Sequence, residues 1–121
     1  MVSAQNQTKF HDDLRGYIDS YVHKIYDLSQ SFPSDEKWGV TSQLRRSSLS
    51  VALNYIEGYA RIRKPVLKNF IETAYGSLKE SEYLLEFCYT RSFIKNKEVF
   101  DEVKHLNETI AKMLWGIIKK L

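Results

Sequence analysis

Glu102-Val-Lys-His105 has the Glu-x-x-His spacing with which a bundle helix can offer a carboxylate and an imidazole to a metal ion. A ferritin-like di-metal site needs two such motifs, plus a Glu from each of two other helices, all aimed inward. The chain has one copy, and at roughly 3.6 residues per turn His105 points away from Val103, Leu106 and Ile110. His11 and His23 have no ligand-like partner spacing and read as surface residues of the first helix. Ser34-Asp-Glu-Lys37 spells S-x-x-K, but it sits between Pro33 and Gly39 and lacks the companion motifs of that enzyme class, so turn chemistry explains it better. Cys88 is the only cysteine, which excludes an intrachain disulfide and a cysteine metal cluster. It falls on an apolar helix face, where a thiol is inert. There is no P-loop and no G-x-G-x-x-G. These residues predict no metal, no cofactor, no small-molecule substrate and no enzyme.

The elements that would carry these side chains are helices. The chain has 121 residues, 43% of them hydrophobic and 27% charged, with only two prolines and five glycines to interrupt it. That balance is globular, and so few breaks favour long helices over many short strands. Apolar positions at steps of three and four mark helix one over about residues 9–31 (Phe10, Leu14, Ile18, Tyr21, Ile25, Leu28). Phe32-Pro33 ends it, because proline disfavours the helical conformation of the residue before it. FPSDEKWG is a turn, and Thr41 reads as the N-cap of helix two, which runs to about Arg61. Pro65 opens helix three, which ends near Ser92, and helix four starts at about Lys97. Long helices on short links pack as antiparallel neighbours. The expected fold is all-α, an up-down-up-down antiparallel four-helix bundle, one domain over residues 9–121 with residues 1–8 as a flexible N-terminus. A start without an apolar h-region, a lone cysteine and no apolar run near the roughly 18 residues that span a bilayer predict a cytoplasmic protein without membrane contact.

Helix two raises the functional question. Leu44, Leu49, Val51, Ala52, Tyr55, Ile56 and Tyr59 fall within one broad half and read as its core face. The other side collects Gln43, Arg46, Ser47, Ser50, Asn54, Glu57, Gly58 and Arg61, a stripe rich in small and short hydrogen-bonding residues. A merely solvated face would be richer in Lys and Glu. Small residues let another backbone come close, and Gly58 costs about 1 kcal/mol against Ala inside a helix. The stripe therefore reads as an oligomer or partner interface, with an ordinary exposed face as the alternative. Helix three has a matching outward side, with Asn69, Thr73, Gly76, Ser77 and Glu80. Glu82 lies near the edge of its core face, about level with Arg45 and Arg46, which predicts an ion pair with one of them.

FPSDEKWGVTSQLRRS (Phe32 to Ser47), then Ser50, Asn54, Glu57-Gly58 and Arg61, then AYGSLKESEYLL (Ala74 to Leu85) resemble the bacterial four-helix-bundle family encoded by intervening sequences in 23S ribosomal RNA genes. The family pattern S-I-P-S-N-I-A-E-G-Y-G-R is met by Ser50 to Arg61, with Ala52 at the usual proline and Ala60 at a usual glycine. Lys64 stands at a usual serine. The resemblance implies a bundle that assembles as a ring, typically a homopentamer, in a family for which no enzymatic activity is established. A more distant likeness, to the basic pentameric accessory protein of diversity-generating retroelements, is one of fold.

The expected topology gathers Lys9, Arg61, Arg63, Lys64, Lys68, Lys119 and Lys120 at one end of the bundle. The net charge is only +3, so a basic rim would come from this clustering. The expectation is thus a non-enzymatic scaffold or interaction module forming a homo-oligomeric ring. The alternative is an RNA- or DNA-binding ring that reads phosphates rather than sequence.

Overall fold

The computed structural model describes residues 4–121, with side chains described from residue 7 onward. Four helices follow one another: α1 (Ala4–Ser29), α2 (Val40–Tyr59), α3 (Lys64–Thr90) and α4 (Lys97–Lys120), with a short 3₁₀ turn at Ser34–Glu36 before α2. No strand occurs among the described residues. The fold is the all-α four-helix bundle expected. α1 starts at Ala4, five residues earlier than anticipated; the rest of the expected flexible stretch, residues 1–3, lies outside the described residues.

Local chemistry sets each boundary. The Thr41 cap is a correction: Gly39 occupies the N-cap, its carbonyl accepting the Gln43 N–H at 3.1 Å. Thr41 is already helical, and its buried hydroxyl has no hydrogen-bond partner. Pro65 sits in the first turn of α3, where its missing N–H leaves nothing unpaired. α3 ends in a Schellman arrangement. The Phe93 N–H bonds the Cys88 carbonyl at 2.8 Å and the Ser92 N–H bonds the Tyr89 carbonyl at 3.0 Å, with Ser92 left-handed at φ 64°. The Asn96 side chain caps α4 by accepting the Val99 N–H at 3.1 Å.

All four helices contribute to one core, including Leu14, Ile18 and Ile25 of α1, Leu44 and Val51 of α2, Ile71, Leu78 and Leu85 of α3, and Ile110 and Leu114 of α4. Across its middle runs a polar layer that apolar periodicity does not show. The fully buried Tyr21 hydroxyl bonds Ser81 Oγ at 2.7 Å, and Asn107 Nδ2 donates to that hydroxyl at 3.0 Å and to the Leu78 carbonyl at 3.2 Å. Burial pushes the Tyr21 phenol up to about 12, even though both hydrogen bonds pull it back. Asn107 Oδ1 stays without a partner. Three helices therefore share one hydrogen-bonded point, which fixes their relative heights more narrowly than interchangeable methyl groups would.

Candidate interaction surface

α2 buries Leu44, Val51 and Tyr55 as its polarity suggests, but it is rotated so that part of each face changes sides. Ser47 and Gly58, expected outside, are buried. They line the seam between α2 and α3 of the same chain. At Gly58 an added Cβ would lie 3.0 Å from Phe70 Cβ and 3.2 Å from Leu67 Cδ1, so only glycine lets the start of α3 come this close. Farther along the seam Ser50 Oγ meets Ser77 Oγ at 2.9 Å. Asn54 Nδ2 donates to both the Ser50 carbonyl and Ser50 Oγ at 2.9 Å, and the Ser47 hydroxyl donates to the Leu44 carbonyl at 3.1 Å. The short polar groups of the stripe thus find partners inside the chain. Of the remaining stripe residues, Gln43, Arg46 and Glu57 are exposed, and Arg61 pairs with Glu57 at 2.7 Å while lying over the Phe70 ring. On α3, Gly76 and Glu80 are exposed, and Gly76 has open space where its Cβ would be.

Large aliphatic side chains are turned out instead. Leu49, Leu53 and Ile56 are 39%, 54% and 47% exposed, and their spacing of four and three residues puts them in one line on the outer face of α2. Leu49, Ile56 and Tyr59 are therefore corrected from core to surface. The outer face of α3 adds Tyr83 and Phe87, whose rings lie 6.5 Å apart. Leu53 was the missed residue. Its signal was available: apolar residues cover more of the α2 circumference than one buried face requires.

The Glu82 ion pair is also corrected. Glu82 binds Lys104 of α4 at 3.0 Å, a lysine shared with Glu86 at 2.9 Å. Burial alone would lower the Lys104 ammonium, but its hydrogen bonds to Glu86 and Glu82 outweigh that and hold it above its ordinary value. Arg45 instead donates to Ser29 Oγ at 2.8 Å and the Tyr26 carbonyl at 3.3 Å, both on α1. Arg46 is exposed. Equal height was not enough: Arg45 leaves α2 on its α1 side, whereas Glu82 leaves α3 on its α4 side.

His11 is not a surface residue. It is half-buried, with Nδ1 at 2.6 Å from the Tyr55 hydroxyl and its ring edge-on to Tyr59. Desolvation lowers its pKa, against a smaller opposing effect of Asp12. His105 and His23 are exposed. Burial pushes the Cys88 thiol up to about 12, so it is not a thiolate near neutral pH. No group of three or more His, Cys, Asp or Glu suited to a metal occurs among the described residues, and no described helix is long and apolar enough to cross a membrane.

At the end where α1 begins and α4 finishes, Lys9 pairs with Asp13 at 2.9 Å. Arg63, Lys64, Lys68, Lys119 and Lys120 make no ion pair with a described residue.

The model of the 23S rRNA-intervening sequence protein family matches residues 18–116, a span that takes in the α2–α3 seam and the polar layer. The chain belongs to that family. Among solved structures, it is similar to a protein with unknown function from the S23 ribosomal protein family of Bacteroides thetaiotaomicron. The TM-score is 0.80 at 22% identity, over 88% of this chain and 98% of that one. At that identity the likeness is one of fold, and neither comparison indicates an enzymatic family. No curated protein matches the chain.

Proposed function

We propose that this protein is a non-enzymatic assembly module whose copies pack through the outer face of α2 into a homo-oligomeric ring. The observation that carries the reading is the line of half-exposed aliphatics at Leu49, Leu53 and Ile56. Single exposed apolar residues are ordinary, but an aligned set on one helix is a contact surface. Full burial of a Leu or Ile side chain contributes about 1.5–3 kcal/mol, and the exposed half of each is still to be gained. The outer faces of α2 and α3 differ in chemistry, so a contact between unlike faces closes as a ring when its rotation allows. A ring of five subunits is the form that the resemblance in sequence suggests.

Ser50 and Asn54 belong to the internal seam, so substitutions there would disturb the fold and could not report on assembly. The discriminating variant is Leu49→Glu with Leu53→Glu, measured by light scattering on a sizing column. The parent should run as an oligomer, and the variant as a single subunit with unchanged helical circular dichroism. A monomeric parent at high concentration would defeat the proposal.

A second reading rests on the cations without ion-pair partners. An assembled ring would repeat Arg63, Lys64, Lys68, Lys119 and Lys120 around one rim, suited to the phosphates of RNA or DNA. Arg63→Glu with Lys64→Glu should then remove salt-sensitive binding of a fluorescent RNA while leaving the oligomer intact. Equal binding by parent and variant would rule this reading out.

A further inference from the structure

We infer that the groove at the open end of the bundle, between α1 and the last turns of α4, is a binding site for a small amphipathic anion of the medium-chain carboxylate class. The groove encloses about 680 Å³, within the roughly 300–1,000 Å³ usual for small-molecule sites. Its walls are apolar, with Phe10 of α1, Met113 and Ile117 of α4, and Leu121 just after it. Gly116 leaves its floor open, since a Cβ there would meet nothing within 4 Å. One side is closed by the Tyr59 and His11 rings, the latter held by Tyr55.

Charge selects the class of ligand. Lys112 and Lys120 line the groove, and no carboxylate side chain does so among the described residues. Neither lysine makes an ion pair with a described residue. His11 adds no charge near neutral pH, because desolvation keeps its imidazole unprotonated. Both lysines are exposed and hydrated, so a neutral lipid would only forgo their attraction, whereas a cationic amphiphile would be repelled. Lys120 sits at the negative end of the α4 dipole, which opposes an anion there. Lys112 lies about 12 Å earlier along the helix at 1.5 Å per residue and is the better seat for the head group. This site does not depend on the assembly proposed above, since none of Leu49, Leu53 and Ile56 lines it.

The test uses the full chain with decanoate and decanol as probes, read by calorimetry and by methyl and amide NMR shifts. Decanoate should bind with one site per subunit and shift the Met113, Gly116 and Ile117 signals. Decanol should bind at least tenfold more weakly. Lys112→Glu should weaken decanoate at least tenfold, while Lys112→Arg retains it. Gly116→Leu should abolish binding by filling the floor. Leu has the higher helix propensity, and unchanged helical circular dichroism of the variant separates filling of the floor from loss of fold. Decanol binding as tightly as decanoate overturns the inference, as does decanoate binding unchanged by Gly116→Leu. Shifts confined to Leu49, Leu53 and Ile56 would also overturn it, by placing the probe on the outer face of α2. Absence of any decanoate binding does the same.

Discussion

The two long faces of α2 carry opposite chemistry in the places where a simple polarity rule would exchange them. The face packed against α3 holds Ser47, Ser50, Asn54 and Gly58, and the face turned to solvent holds Leu49, Leu53 and Ile56. Size decides this arrangement. Small residues let two helix axes approach until Gly58 touches the Phe70 stem, and the serine and asparagine groups then satisfy one another and the nearby backbone. A buried polar group is costly only when unpaired. The aliphatic stripe stays about half-exposed.

The largest effect is expected at Gly58. Gly58→Leu should destabilise the fold by about 3 kcal/mol, because the contacted atom is Phe70 Cβ, which cannot swing away. Urea unfolding checks this, and a loss below about 0.5 kcal/mol would mean that the seam is loose.

The inward side also predicts a pH response. Tyr21 titrates near 12 in the folded chain, against an ordinary 10.0 once unfolded. Below pH 10 both states keep the proton and stability is unaffected. Between pH 10 and 12 only the unfolded chain releases it, so Tyr21 makes stability fall by about 1.4 kcal/mol per pH unit. Tyr21→Phe should flatten that part of the alkaline slope in urea titrations at stepped pH. An unchanged slope would remove Tyr21 as its source.

A smaller effect belongs to the Ser50–Ser77 bond, which is part-buried. Ser50→Ala should cost about 1 kcal/mol, since it leaves Ser77 and Asn54 each one partner short. A double-mutant cycle with Ser77→Ala should show coupling of the same sign.

The smallest stability change should come from the outer face. Leu53→Gln should alter the unfolding free energy of a dissociated subunit by less than about 0.5 kcal/mol. In the assembled protein it should still weaken association, seen as a concentration-dependent mass. A large stability loss in the dissociated subunit would show Leu53 to be part of the core.

Much of the fold was legible in residue order. The spacing of Leu14, Ile18 and Ile25, and of Ile71, Leu78 and Leu85, has one solution as a helix with a buried stripe, and those residues form the core. Pro33, Gly39 and Pro65 punctuate the chain where local backbone chemistry requires it. The candidate surfaces were less legible. The groove at the open end is made by residues from both ends of the chain, Phe10 and Ile117 among them, which no local pattern connects. Asn107 looks like a solvated polar residue in sequence, yet it is fully buried because Tyr21 and the Leu78 carbonyl await it.

By itself, then, the sequence determined four helices, their turns and the central core stripes, since helix periodicity and turn stereochemistry act over a few neighbouring residues. The tertiary structure decided which face of α2 looks inward and that Glu82 answers Lys104 rather than Arg45. It also decided that His11 meets Tyr55. Those choices depend on the fit and rotation of one whole helix against another, and α2, apolar around more than half its circumference, has more than one face it could bury.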